Sequence, residues 1–201
     1  MIKLELFWPL KKTIITQGFG ENQYAVYKAE WGLLGHNGID MIDTTHYGNG
    51  FDVFAAHDGI VTFAGADSNE GYGVVIRTEE PFDYKDQPTY FKTIYWHLYQ
   101  DKIFVKIGDR VRIGDRIALG DSTGRNTGPH LHFGLKPIKQ GEADWLWDNI
   151  EQKNGYNGAI DPAPYFSTMS AYQLRTSLQT MSENLKKLAE VLANWLKGRR
   201  A

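Results

Sequence analysis

The segment VKIGDRVRIGDRIALGDSTGRNTGPHLHF, residues 105–133, decides the fold. It repeats a Gly-Asp pair at positions 108 and 114, and such pairs between alternating apolar residues are typical of tight structural turns. It ends in HLHF, which contains His130 and His132. Residues two apart on a strand face the same side, so both imidazoles are predicted to point to one face. The segment therefore predicts short strands joined by sharp corners.

Short β-type runs continue on both sides of this segment, from about residue 12 to residue 137. Their Val, Ile and aromatic content suits a pleated surface. No long helical period interrupts them, so a mainly β chain is predicted, with an antiparallel sheet or sandwich rather than βαβ units. Two longer loops are expected, at 78–90 and 139–157. The candidate strands are Val53–Ala55, Gly59–Ala64, Gly73–Arg77, Phe91–Leu98, Arg116–Leu119 and His130–Leu135.

The C-terminal part differs, and residues 167–201 are predicted as one long amphipathic α-helix behind a domain of residues 1–166. Its apolar residues recur at alternating steps of four and three, which is a heptad seam. Such a stripe is usually buried, so residues 169–197 are expected to pack on the domain or to self-associate. The basic polar side near the end keeps membrane contact open as another interpretation. The seam consists of Leu174, Leu178, Met181, Leu185, Leu188, Leu192 and Trp195.

The bulk composition excludes several classes of function. A net charge of −2 provides no global basic field, so nucleic acid is not expected as a partner. The chain has no cysteine, which excludes disulfide frameworks, thiolate metal sites and cysteine nucleophiles. No apolar run approaches the roughly 20 residues that span a bilayer. The first 12 residues contain Glu5 and Pro9 and no small-residue cleavage site, so no signal peptide is expected there.

Four of the six histidines lie in contexts that suggest a shared site. His36 and Asp40 are four apart in GHNGID, where Gly38 is expected to permit a sharp bend. The two histidines of HLHF are expected to share one strand face, with the apolar residues between and after them turned away. In TIYWHL, His97 is expected to share its face with Tyr95. Each pattern is weak alone, because a single strand histidine is usually structural.

Together these residues suggest a catalytic zinc site. Two imidazoles and one carboxylate supply three ligands, which leaves the fourth position for water. Zinc would then lower the pKa of that water to about 7 and polarise a carbonyl. The two remaining histidines are candidates for carrying a proton and stabilising an oxyanion. No HExxH helix is present to supply a glutamate base. Spacing alone does not say which member of HLHF binds the metal.

The residues also carry a family resemblance. HNGID, FAAHDGIVTFAG, GYGVVI, YWHL and the 105–133 segment, in this order, resemble the lysostaphin/LytM-type zinc endopeptidases over about residues 16–135. The resemblance implies a small antiparallel β core with an open groove. It also implies that the enzyme hydrolyses the peptide cross-links of bacterial peptidoglycan. In the mechanism that it implies, a zinc-bound water attacks the scissile carbonyl.

The resemblance also divides the roles among the site residues. It implies that His36, Asp40 and His132 bind one Zn²⁺ per chain. It implies that His97 and His130 are the catalytic pair.

Some stretches depart from the family's usual outline. The segment DTTHYGNGFDVFAAHDG, residues 43–59, is longer and more polar than expected. Its extra histidine, His46, is interpreted as a surface loop residue and His57 as structural. Of the neighbouring polar residues, Asn37, Thr127 and Tyr95 are interpreted as local turn or strand residues rather than as ligand contacts.

The sequence is also compatible with functions other than that of a peptidase. One alternative is a non-catalytic peptidoglycan-binding or regulatory module on the same fold. The Gly-Asp repeat is also similar to lipoyl and biotin carriers, but these need an exposed lysine at a hairpin tip, and no such turn is predicted from the sequence. Sugar-phosphotransferase domains use paired histidines but do not need Asp40. The expected place of action is the cell wall, reached by export or by phage delivery.

Overall fold

The computed structural model describes residues 2–141 and 147–198 of the 201-residue chain, with side chains up to residue 193 of the last helix. Thirteen strands and two α-helices form within these residues. The strands are β1 Leu6–Trp8, β2 Thr13–Gln17, β3 Ile39–Asp43, β4 Asp52–Phe54, β5 Gly59–Asp67, β6 Gly71–Arg77, β7 Phe82–Tyr84, β8 Gln87–Ile103, β9 Arg110–Val111, β10 Arg116–Gly120, β11 Leu131–Gln140, β12 Trp147–Asn149 and β13 Phe166–Ser170. The helices are α1 Val26–Ala29 and α2 Ala171–Gly198.

One large antiparallel sheet dominates the fold, with the strand order β2-β3-β11-β8-β6-β5-β9. Strand β10 pairs with both β4 and β8, while β7 and β12 extend the sheet by pairing with β8 and β11. The apolar face of β11 and β8 packs into a single core with the N-terminal segment and with β4 and β10. The predicted mainly β, antiparallel fold with a C-terminal helix is therefore confirmed. The core includes Leu6, Val53, Tyr95, Ile117, Leu131 and Phe133.

The predicted strands are all present, and the sheet extends further than the sequence indicated. Residues 78–90 were expected to form a loop, but they contain a hairpin in which β7 pairs with the start of β8. Lys85 and Asp86 form its two-residue turn with φ of 52° and 62°, the left-handed geometry that suits a hairpin. The second expected loop is also partly strand, because β11 reaches Gln140 and pairs with β12. Residues 142–146 of that loop lie outside the described residues.

The repeated Gly-Asp pairs form two turns of the same kind, as predicted. Gly108 and Gly114 have φ of 92° and 81°, which residues with a Cβ rarely adopt. The carboxylate of Asp109 accepts a hydrogen bond from the backbone N–H of Lys106, 3.0 Å away. Asp115 accepts the equivalent bond from the N–H three residues before it, at 2.8 Å. Each aspartate thus closes its own turn.

Helix α2 begins at Ala171 rather than at 167 or 169, because residues 166–170 form β13, which pairs with β1. The first turns of α2 contact the domain: the ring of Tyr172 lies 5.6 Å from that of Phe54, and Arg175 donates hydrogen bonds to Gly114 and Asp115.

Beyond these turns the predicted packing on the domain is wrong for the described residues. The apolar seam from Leu178 to Leu192 is between 52% and 61% exposed. The Trp195 side chain lies outside the described residues. None of the described helices combines the length and apolar character needed to cross a bilayer.

Candidate metal centre

Two neighbouring strands bring three potential metal ligands together. Asp40 on β3 lies directly opposite His132 on β11 in the antiparallel ladder. His36 lies in the turn that leads into β3 and is held by two backbone hydrogen bonds of 2.8 Å, with Gly20 and Glu21. The predicted strands did not include residues 39–43, but Asp40 is a strand residue.

The backbone bends at Asn37 and Gly38, as predicted, although Gly38 does not have a left-handed φ. A Cβ at this position would lie 2.7 Å from the His132 imidazole and 2.6 Å from the carbonyl oxygen of Phe133. Glycine is required because the ring of His132 passes directly over the backbone at this point.

The three ligand atoms form a small triangle. His36 Nε2 lies 3.1 Å from Asp40 Oδ1, His132 Nδ1 lies 3.0 Å from the same oxygen, and the two nitrogens are 2.9 Å apart. Ligands of a tetrahedral zinc ion with bonds of about 2.0–2.1 Å are about 3.3 Å from each other. The observed separations are within a few tenths of an ångström of that value. Two imidazole nitrogens and one carboxylate oxygen therefore fit a zinc ion in both chemistry and spacing.

The orientation of the His36 ring is fixed by a backbone contact on the side opposite Asp40. Its Nδ1 lies 3.1 Å from the carbonyl oxygen of Gly18, which only accepts hydrogen bonds. When a metal ion occupies the triangle, the proton of this imidazole would lie on Nδ1, and Nε2 would present its lone pair to the ion. Such a backbone partner is the usual way in which proteins orient a metal-binding histidine.

His97 and His130 lie beside the triangle. Their ring centroids are 4.6 Å apart, and the His97 ring is 6.2 Å from that of His132. The Nδ1 of His97 donates to the carbonyl of Thr123 at 2.8 Å, and that of His130 donates to the carbonyl of Gly128 at 2.7 Å. Both rings therefore keep Nε2 available. The Nε2 of His130 is 3.5 Å from Asp40 Oδ2.

A backbone irregularity in β8 turns His97 toward this site. His97 has φ of +65°, and the pairing of β6 with β8 shifts by one residue at this point. The shift returns Leu98 to the core, which Tyr95 already faces. The predicted sharing of one face by His97 and Tyr95 is therefore wrong. Tyr95 packs inside the core, where its hydroxyl accepts a hydrogen bond from the N–H of Ala56 at 2.9 Å.

Burial and the neighbouring groups shift the pKa values in this cluster. Burial alone raises the pKa of Asp40, but its interactions with His132 and His36 outweigh burial and hold it well below its usual range. Burial lowers the pKa of His132, yet the hydrogen bond and charge of Asp40 raise it above the ordinary value. Burial, with repulsion from His130 and His132, lowers the pKa of His97 to about 4. His97 is thus neutral at pH 7, beside an ionised carboxylate.

The cluster opens into a groove of about 690 Å³. One wall carries Tyr27, whose ring lies 5.8 Å from that of His36, and Trp31. The opposite wall is the loop that leads into His130. Arg125 of that loop forms an ion pair with Glu30, so the two walls are linked. The wall residues Tyr27, Trp31 and Arg125 were not predicted as site residues, because single aromatic and charged residues carry no spacing signal.

The other predicted polar residues divide between groove and scaffold. Asn37 and Thr127 line the groove. His46 is exposed, and its Nε2 donates to the carbonyl of Asn49 at 3.0 Å, as expected for a loop residue. His57 is buried away from the cluster between the carbonyl of Asp58 and the hydroxyl of Thr93, both at 2.8 Å. Its structural interpretation is confirmed.

With this geometry in view, comparison with known proteins identifies the family. The sequence profile of peptidase family M23 matches residues 34–144, which contain all five site residues. The chain belongs to peptidase family M23. Three relatives illustrate how far this likeness extends.

Among curated proteins, M23 relatives include the peptidoglycan DD-endopeptidase ShyB of Vibrio cholerae, which is 34% identical over 134 residues, 65% of this chain and 28% of ShyB. The chain spans about a quarter of the length of the curated relatives that it matches.

Among solved structures, a zinc-containing peptidase of Vibrio cholerae is 30% identical with a TM-score of 0.51. The match covers 73% of this chain and 39% of that one. The catalytic domain of lysostaphin from Staphylococcus simulans shares the fold, with 24% identity, a TM-score of 0.54, and coverage of 76% and 90%. The resemblance drawn from the sequence motifs is therefore confirmed at the level of the M23 family.

Proposed function

We propose that this M23 chain is a zinc-dependent endopeptidase that hydrolyses peptide cross-links of bacterial peptidoglycan. The observation that carries the proposal is the triangle of His36 Nε2, Asp40 Oδ1 and His132 Nδ1, with all three separations close to 3 Å, at the floor of an open groove. Two further histidines with an available Nε2 lie beside it. A structural metal site would need four protein ligands and no groove.

In this proposal His36, Asp40 and His132 hold the metal. A zinc ion in this position supplies Lewis acidity, which lowers the pKa of a coordinated water to about 7 and polarises a peptide carbonyl. The triangle provides the three protein ligands that an open catalytic zinc site requires. The Vibrio cholerae peptidase that is 30% identical to this chain contains zinc, which supports the choice of metal.

His97 and His130 are proposed to handle protons and charge. Because Thr123 and Gly128 hold both Nδ1 protons, the reactive atom of each ring is Nε2. A neutral imidazole accepts a proton at Nε2 as a general base and later donates it to the leaving amine. The pKa of His97, about 4, keeps its ring neutral at pH 7, so its Nε2 is free to accept a proton. His130, 3.5 Å from the carboxylate of Asp40, is placed to stabilise negative charge on the attacked oxygen when it is protonated.

The groove and the relatives support a peptide of the cell wall as the substrate. The groove is lined by Tyr24, Tyr27 and Trp31 on one side and by polar groups on the other, which suits an extended, partly polar chain. ShyB is described as a peptidoglycan DD-endopeptidase, so direct cross-links between stem peptides are the proposed scissile bonds. The proposed place of action is therefore the cell wall.

The proposal is tested by digesting purified sacculi that differ in their cross-links and identifying the released fragments by mass spectrometry. The zinc-loaded protein should release un-cross-linked stem peptides, and His130→Ala should release none while keeping its zinc. His46→Ala is the matched control, because that histidine is exposed in a loop. A zinc-loaded protein that binds sacculi of every cross-link type and releases nothing would instead establish the non-catalytic module.

A further inference from the structure

The far part of helix α2 exposes a continuous apolar strip. Leu178, Met181, Leu185, Leu188 and Leu192 are each more than half exposed, and no described part of the domain covers them. Monomeric proteins seldom leave contiguous apolar patches of more than a few hundred Å² in water. An exposed strip of this kind is typical of a surface that binds a partner.

The spacing of the strip fits another helix. Its residues follow steps of three and four from Leu178 to Leu192, the pattern of core positions in a coiled coil. Leu178, Leu185 and Leu192 occupy one core position of the heptad, and Met181 and Leu188 occupy the other. Two helices of this kind bury their strips by inserting each side chain between four residues of the partner.

The positions that flank the strip permit pairing with an identical helix. The residues immediately beside the core are uncharged: Ser177, Ser182, Asn184, Ala189 and Val191. Charged flanking residues set partner choice in coiled coils, and like charges there would repel a second copy. No such repulsion arises here, and the small side chains allow the helices to approach closely.

The charges on the outer side of the helix favour a protein partner over a lipid surface. Between residues 176 and 193 the charged residues are Glu183, Lys186, Lys187 and Glu190, so the net charge is zero. A helix that lies on a membrane usually carries a polar face rich in Lys and Arg, which anionic lipids attract. The basic residues Lys197, Arg199 and Arg200 come only after this stretch.

We propose that two copies of this chain associate through residues 178–192 of α2 and bury the apolar strip against each other. Arg175 and Tyr172 attach the base of the helix to the domain, so the domain of each copy lies at the base of its own helix. The association depends on no catalytic residue, and its failure would leave the proposed peptidase activity untouched.

Sedimentation equilibrium of the full chain over a range of concentrations tests the association. The wild-type protein should reach twice the mass of one chain. Leu185→Glu places a charge at the centre of the strip and should reduce the mass to that of one chain, with a loss of dimer of at least tenfold at equal concentration. Gln179→Glu introduces the same side chain on the outer side of the same helix and should sediment like the wild type.

Two results would overturn the association. One is a wild-type protein that stays at the mass of one chain at every concentration. The other is a Leu185→Glu protein that sediments like the wild type.

Flotation with vesicles of phosphatidylserine and phosphatidylcholine is a second experiment on the same proteins. A chain that is monomeric in buffer but floats with these vesicles would show that the strip binds the membrane instead of a second copy. Circular dichroism of each variant shows that the helix is retained, and unchanged peptidase activity shows that the domain is intact.

Discussion

Asp40 and His132 face each other across adjacent antiparallel strands, and Asp40 Oδ1 lies 3.0 Å from His132 Nδ1. Directly opposed residues of a ladder are held at a fixed spacing by the backbone hydrogen bonds on either side. The distance between these two ligands is therefore set by the sheet rather than by a mobile loop. His36 completes the set from the turn before β3, where its ring is fixed by Gly18.

Replacing any of the three ligands should remove zinc and activity together. Asp40→Ala, His36→Ala and His132→Ala are each expected to weaken zinc binding by at least about 100-fold, since loss of an outer partner alone costs 10–100-fold. The measurement is zinc per chain by elemental analysis after dialysis, with circular dichroism to show that the domain is folded. If His130→Ala lost its zinc and His132→Ala kept it, the two histidines of HLHF would have the reverse roles.

Replacing the two remaining histidines should separate binding from chemistry. His97→Ala and His130→Ala are expected to keep one zinc per chain while kcat falls by about 10²–10⁴-fold, the range for loss of a general acid or base. Zinc content and the rate of cross-link cleavage are measured on the same sample. A variant with wild-type kcat would show that its histidine takes no part in the reaction.

The glycine beneath His132 gives a test of the geometry without changing a ligand. Gly38→Ala is expected to push the imidazole out of place, because the new Cβ would lie 2.7 Å from it, and to weaken zinc binding by about 10–100-fold. Gly134→Ala is the matched control, since its Cβ would meet Ile94 at 3.4 Å, an ordinary contact. Isothermal titration of the metal-free proteins with zinc compares the two. Equal affinities would contradict the packing described for Gly38.

Two lysines at the far end of the sheet provide a pH-dependent prediction. Lys136 on β11 lies directly opposite Lys92 on β8. Burial, with repulsion from Lys92, lowers the pKa of Lys136 to about 8 from its ordinary 10.5. The unfolded chain thus binds this proton more tightly than the folded one. Protonated Lys136 therefore lowers the free energy of unfolding. This destabilisation is fully present below pH 8 and disappears as the pH rises toward 10.5.

Lys136→Met is therefore expected to raise the free energy of unfolding at pH 7 by about 1 kcal/mol, the order of magnitude of a cross-strand side-chain pair. The difference from the wild type should shrink as the pH rises above 8. Urea unfolding at several pH values measures it. Lys139→Met, at an exposed position of the same strand, should show no such trend.

The sequence predicted those parts of the site that depend on a regular period. The prediction for HLHF is right in part: Leu131 and Phe133 are in the core and His132 faces the cluster, as strand alternation requires, but His130 lies in the loop just before β11 rather than on the strand. The same rule was available for IDMID, in which Ile39, Met41 and Asp43 are all buried, but this segment was not among the predicted strands. The strand that carries Asp40 was therefore missed despite its signal.

Other features have no local signal. The register shift at His97 lies where β8 pairs with β6 on one side and with β10 nearby, and the spacing of residues in the sequence contains no information about these pairings. The exposure of the apolar strip of α2 was also not predictable. The heptad pattern predicted the helix, but not whether its apolar side would pack against the domain. The residues that line the groove, such as Tyr27 and Arg125, come from distant parts of the chain, and only the fold brings them to one site.

The ligand set also constrains the order of folding. Asp40 and His132 are 92 residues apart, and the strands between them make up most of the sheet. Contacts between such distant positions form late, because the entropy of closing the loop is lost before they stabilise the chain. A nascent chain that has emerged only as far as β8 lacks the third ligand altogether. If the chain binds zinc as proposed, capture of the metal would follow the pairing of β3 with β11 and would not nucleate the sheet.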